Sequence, residues 1–301
     1  MKHLLRHKKL TKVLGYLGVI VCAAVFIRQP SFVTPDKLLV VGTFIAMAFG
    51  QAKQFLKRFV PFVVLLLVYE SFRGIVPYLN ANVSYYLLPK IDRLLFFGQL
   101  PTVRLQNLFW HGHVQWYDFV FYLTYTLHFI LPFVLAAFVW KYRPAKYWQV
   151  ITTYVTVSFA GFITFLAFPA APPWMASEKG IIEPITRISS HVWYALGVHD
   201  FPSVYNKISA NPVAAMPSLH AAYATLFSLF VTTIFTKSRW RYLSWLYPAI
   251  IYVGTVYSGE HYAIDELAGA MYAIVGFWTA PYILRWVQKT YTKIAKKFKK
   301  N

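Results

Sequence analysis

The chain has 301 residues and a formal net charge of +20, yet only 13% of its residues are charged, while 58% are hydrophobic and 19% aromatic. So apolar a composition excludes an ordinary water-facing globule and places the chain in lipid. Nor does the positive balance make it a nucleic-acid binder, because the basic residues sit between apolar runs instead of lining one face of a soluble fold.

In chain order, eight apolar runs are long enough, or nearly so, to cross a hydrocarbon core of about 30 Å as helices. The expected spans are about Val13 to Ile27, Leu38 to Gly50, Val60 to Leu79, Trp116 to Trp140, Trp148 to Pro169, Pro217 to Phe235, Tyr242 to Tyr257 and Ile264 to Trp286, the second being the weakest. The first follows Lys8, Lys9 and Lys12, but the arginine and proline after it make a poor cleavage site, so it reads as an uncleaved helix. The lone cysteine, Cys22, lies inside this run and can form no intramolecular disulfide. Two long loops, around Asn80 to Gln115 and Ala170 to Met216, interrupt the series. Within the first, Ile91 to Phe97 and Leu105 to Trp110 are short apolar stretches broken by Gly98 and Pro101, consistent with helices lying in the membrane interface, with Trp110, Trp116 and Tyr117 as anchors. The stretch from Lys289 to Asn301 is a basic amphipathic tail suited to anionic lipid.

The pattern therefore predicts an all-α polytopic membrane helix bundle of about eight transmembrane helices, with interfacial helices on the outer side. Its expected division is an N-terminal pair of transmembrane helices over 1–57, a catalytic core over 58–288 and the basic tail over 289–301. Threading eight spans puts 21 of the 30 lysines and arginines on one side. Cytoplasmic loops carry such an excess, so both termini are expected in the cytoplasm and the two long loops outside, in a multi-pass protein of the plasma membrane.

Two strings place ionisable residues at the outer end of a helix: Ala215-Met216-Pro217-Ser218-Leu219-His220 and Tyr257-Ser258-Gly259-Glu260-His261-Tyr262-Ala263-Ile264-Asp265. His261 and Asp265 are four apart and would stack on one helical face. A carboxylate there fixes one ring nitrogen as a donor and leaves the other as nucleophile or base. Pro217 suits an opening helical turn, and Ser218 can offer hydroxyl and amide to an anion. A single histidine at a helix end is more often structural, but ionisable groups near the hydrocarbon edge are costly, and the charge-based threading brings both strings to one side.

These residues resemble the type 2 phosphatidic acid phosphatase superfamily of membrane phosphatases and phosphotransferases. Its second motif is similar to Pro217, Ser218 and His220, and its third to His261 and Asp265. The resemblance extends to Tyr69, Glu70 and Arg73, to Asp92, Leu95, Gly98 and Pro101, to His128, and to the run from Phe168 to Trp174, features similar to the inositol phosphorylceramide synthase-like branch. It implies a mechanism without metal or other cofactor. His261 attacks phosphorus to give a phosphohistidine, Asp265 orients its ring, and His220 protonates the leaving oxygen and then activates water or an alcohol. The implied substrates are phospholipid, sphingolipid or polyprenyl-phosphate lipids met in the bilayer.

The chain departs from the superfamily at its phosphate-binding cations. Thr255 stands where an arginine is usual, six residues before His261, and Pro172-Pro173-Trp174 occupies the place of the first, Lys- and Arg-containing motif. A phosphoryl group still needs fixed cations or amide donors. Arg73, in the outer part of an apolar helix, is the first choice, with a plain ion pair to Glu70 as the alternative reading; Lys207 and Arg104 follow. Two rival functions stay open on the residues alone. A transporter would use intramembrane ionisable groups near the midplane, and a zinc hydrolase would recruit His220, His261 and Asp265 as ligands.

Overall fold

The computed structural model describes residues 2–198, 207 and 210–298. Among these residues there are twelve α-helices: α1 (Lys2–Arg28), α2 (Pro35–Ala48), α3 (Ala52–Leu79), α4 (Leu87–Leu95), α5 (Pro101–Phe109), α6 (Trp116–Tyr142), α7 (Tyr147–Ala167), α8 (Pro173–Glu178), α9 (Ile188–Ala195), α10 (Leu219–Ile234), α11 (Leu246–Tyr257) and α12 (Ala263–Phe298). Local chemistry sets many of their starts. Proline occupies the first turn of α2, α5 and α8, where its missing N–H costs nothing. Gln115 and Asp118 form a reciprocal capping box on α6, and the Ser218 hydroxyl accepts from the Ala221 amide at the head of α10.

Every expected span contains helix, but the lengths are uneven. Five stretches, Lys9–Arg28, Ala52–Leu79, Trp116–Tyr142, Pro144–Ala167 and Ala263–Ile294, are long and apolar enough to cross a membrane. The other three are shorter. α2 has 14 residues, roughly 21 Å at 1.5 Å per residue. α10 has 16, and the seventh span divides into a 3-10 stretch over Arg239–Trp245 and the 12-residue α11. α12 runs unbroken through the start of the basic tail.

An aromatic core locks one half of the bundle. Phe55 and Phe59 of α3 stack at 4.3 Å, Phe62 meets Phe133 of α6 at 5.1 Å, and Phe59 meets Trp140 at 6.0 Å. Tyr154 and Phe230 carry the same cluster into α7 and α10. In the other half, where the long loops gather, α3 and α6 instead face each other across a cavity. The loops above it are tied by isolated parallel bridges from Ala170 to Ser84 and to Ala214. α4 is strongly two-faced: Leu88, Pro89 and Asp92 are buried, while Leu87, Leu94 and Leu95 are exposed. That is the pattern of a helix lying on a hydrocarbon surface.

Candidate active site

The turn between α11 and α12 is built to hold one histidine. Gly259 has φ of +79°, and a Cβ there would sit 3.0 Å from Ile185 and 3.2 Å from the Thr186 carbonyl, so any larger residue would be strained and crowded. The Thr255 carbonyl accepts from the amides of Glu260 at 3.0 Å and His261 at 3.2 Å, which closes the turn. One residue further on, the Tyr262 amide donates to Asp265 Oδ2 at 2.8 Å. The same oxygen lies 3.6 Å from His261 Nδ1, an ion-pair separation set by the turn and not by helical stacking, since α12 begins at Ala263, two residues after His261. Asp265 is fully buried and His261 nearly so.

The second histidine arrives from α10. Gly269 of α12 packs so closely that a Cβ on it would lie 2.1 Å from the Ser218 carbonyl, and the Ser218 amide donates to the Asp265 carbonyl at 3.0 Å. This seam registers the head of α10 against the first turn of α12. It leaves His220 Nδ1 3.4 Å from His261 Nε2. Carboxylate, imidazole and imidazole therefore stand in line, with His261 presenting Nδ1 to Asp265 and Nε2 to His220. The His220 ring is also flanked by Tyr125 at 4.1 Å and by His128 at 4.3 Å, and His128 stacks in turn on Tyr223.

His220 and His261 open into a cavity of about 150 Å³ whose polar lining includes Glu70, Arg73, Tyr125 and His128. Arg73 is thus in the same cavity as both histidines, and its Nε also donates to Glu70 Oε2 at 2.7 Å. The ion pair and the cavity position, set as alternatives in the sequence, coexist. The other expected anion ligands lie elsewhere. Ser218 is fully buried and outside the cavity lining; its amide goes to Asp265 and its hydroxyl to the cap of α10. Arg104 is exposed and donates to Gln99 at 2.8 Å. Lys207 is exposed and is not among the residues lining the cavity. Thr255, in the place of the usual arginine, is buried and donates to Glu266 at 2.8 Å, so no cation is supplied there. Among the described residues no group of three or more His, Cys, Asp or Glu is placed to hold a metal ion.

Several supporting residues were not legible as such from sequence. Asp92 of α4 reaches the first amides of α12, accepting from Ala263 at 2.8 Å and Ile264 at 3.0 Å. Gln106 of α5 donates to the carbonyls of Thr186 and Tyr257 and accepts from the Thr186 amide, tying the loop before α9 to the end of α11. Arg187 pairs with Glu260 at 2.9 Å beneath Trp174, its guanidinium carbon 4.3 Å from that ring. Asp92 and Gln106 lie on the short helices α4 and α5, and their burial, which gives them these roles, is set by tertiary packing that sequence spacing does not show.

The electrostatics follow from burial and neighbours. Burial pushes the His261 imidazole toward neutrality, but the adjacent Asp265 carboxylate, with those of Glu266 and Glu260, outweighs it and holds its pKa above the ordinary histidine value. Burial pushes Asp92 up to about 6 against the two amide hydrogen bonds it accepts, so it remains largely a carboxylate at neutral pH.

Known proteins similar to this chain are of one kind. The chain is 32% identical over 166 residues to the phosphoinositol dihydroceramide synthase of Bacteroides thetaiotaomicron, covering 52% of each chain. It is 26% identical over 199 residues to the inositol phosphorylceramide synthase catalytic subunit of Schizosaccharomyces pombe, covering 64% of this chain and 45% of that one. With the inositol phosphorylceramide synthase of Candida albicans it shares 24% identity over 278 residues, 89% of this chain and 55% of the relative. The chain thus spans about half the length of the curated relatives it matches. No solved structure matches it. The PAP2 superfamily model matches residues 88–279, more than half the chain and all of the His220, His261 and Asp265 constellation, and the chain belongs to that superfamily.

Proposed function

We propose that this protein is a membrane phosphotransferase that moves a phospho-headgroup from one lipid to the hydroxyl of another through a phosphohistidine on His261. The observation that carries the reading is the line of Asp265, His261 and His220 facing a cavity that also contains Arg73. In the first half-reaction His261 Nε2 attacks phosphorus, the P–O bond to the donor's lipid alcohol breaks, and His220 delivers a proton to that oxygen. In the second, His220 takes the proton from the acceptor hydroxyl, whose oxygen displaces His261 and restores the free imidazole. Asp265 holds Nδ1 and balances the charge that develops on the ring, while Arg73 meets the negative oxygens of the transferring group. No metal takes part in these steps.

The relatives' names support a phosphoinositol lipid as donor and a ceramide-type lipid as acceptor, in place of water. The site is assigned to the outer face of the membrane, with both termini inside, because the two long loops share one side of the threading and most cations the other. Two experiments test this. The purified protein in vesicles of phosphatidylinositol is expected to form a phosphoinositol sphingolipid when ceramide is added; release of inositol phosphate unaffected by ceramide would make it a phosphatase. In a Cys22→Ala background, an impermeant thiol reagent is expected to label Asn107→Cys and not Lys237→Cys from outside, both positions being exposed; the reverse pattern would invert the topology.

A further inference from the structure

The first turn of a helix leaves up to four amides without intrahelical partners, and a local Ser, Thr, Asp or Asn ordinarily satisfies one or two of them. α12 has no such residue at its head, since Tyr262 precedes it. Asp265, the nearest carboxylate, accepts from the Tyr262 amide and faces His261. The next two amides, of Ala263 and Ile264, go instead to the two oxygens of Asp92, one each, from a helix more than 170 residues away in sequence. Asp92 is fully buried, and Leu88, one turn earlier on α4, shares a buried cluster with Tyr262. A buried carboxylate is costly unless it is fully bonded. Here each oxygen is bonded, and both bonds fall on the turn immediately after His261.

We infer that Asp92 is a positioning residue for the nucleophile: by capping α12 from outside, it leaves Asp265 for His261 and fixes the turn between them. The inference rests on His261 being the nucleophile. Without the clamp, Ala263 and Ile264 must find another acceptor, and Asp265 is the nearest; any rotation toward them takes it from the ring. A displacement of about 1 Å in such an arrangement costs on the order of 10²-fold in rate. An asparagine at this position keeps one acceptor but sets its amino group against the second N–H.

The test uses Asp92→Asn and Asp92→Ala in the full-length protein with phosphatidylinositol and ceramide in vesicles. Four quantities are measured: kcat, KM, thermal midpoint, and hydrogen exchange at Ala263 and Ile264. The expected result is a loss of kcat of roughly tenfold in Asp92→Asn and on the order of 10²-fold in Asp92→Ala. KM should stay within about twofold in both, with faster exchange confined to that turn. Pre-steady-state labelling separates positioning from folding: the rate of covalent-intermediate formation should fall while its amplitude per folded molecule holds. A kcat loss that tracks only the fraction folded, or no loss in either variant, overturns the inference. If wild-type protein forms no covalent intermediate, the nucleophile assignment fails, whereas Asp92 is still judged by kcat, KM and exchange.

Discussion

Replacing Arg73 by lysine separates charge from geometry at an arginine that lines the cavity with both histidines. A guanidinium meets two oxygens of a phosphoryl group in a planar fork, which a lysine ammonium cannot reproduce. Losing one well-placed donor to a developing anion costs about 2.7–4 kcal/mol of transition-state stabilisation, or roughly 10² to 10³ in kcat. The substitution also loosens the 2.7 Å contact with Glu70, whose side chain is 11% exposed. Breaking a fully buried pair costs about 3–5 kcal/mol, and partial exposure here reduces that. The assay is therefore paired: headgroup transfer in vesicles, and thermal midpoint in the same preparation. Arg73→Lys should keep most of the stability and lose about 10²-fold in kcat/KM, whereas Arg73→Ala should lose both activity and stability. Adding Glu70→Gln to Arg73→Ala should restore stability without restoring activity. Wild-type kcat/KM in Arg73→Lys would refute the assignment of this residue to phosphate.

The pH profile follows from His261, whose pKa is held above the ordinary histidine value by Asp265 and the neighbouring carboxylates despite burial. Its protonated form stabilises the fold below the unfolded value and loses that contribution as pH rises through the folded one. Attack needs the neutral ring, so kcat/KM should fall on the acid side at a pH above about 6.5, and Asp265→Asn should move that limb downward; an unmoved limb would contradict the pairing. Gly269→Ala would place a Cβ 2.1 Å from the Ser218 carbonyl. The forced separation of α10 from α12 should cost about 1–3 kcal/mol and pull His220 from His261, lowering both midpoint and kcat; normal values for both would show that the seam yields freely. Exhaustive treatment with a chelator should leave transfer unchanged, and a loss restored by a divalent ion would favour a metal-assisted route.

The helical class and the eight apolar segments were legible because a hydrocarbon solvent demands long apolar runs with satisfied backbone. The pairing of His261 with Asp265 was legible because they stand four residues apart at a helix start, although the helix opens only at Ala263 and the turn before it brings the ring to the carboxylate. Side-chain destinations were not. Ser218 looked like an anion donor, yet its amide and hydroxyl are consumed in docking α10 on α12 and capping it. Arg104 and Arg73 carry equal formal charge in a sequence, but one is exposed and the other lines the cavity. Asp92 reaches its target across more than 170 residues, a relation that no local periodicity encodes.

The central claim is most directly tested by trapping the covalent intermediate. Protein mixed with phosphatidylinositol carrying a labelled phosphate, without acceptor, is quenched within milliseconds under alkaline conditions that preserve phosphohistidine, digested and mapped by mass spectrometry. The account predicts a phosphoinositol adduct on the peptide containing His261, absent in His261→Ala, accumulating in the wild type and discharged when ceramide is added. An adduct on another residue, one that survives in His261→Ala, or turnover with no adduct at any time would contradict it.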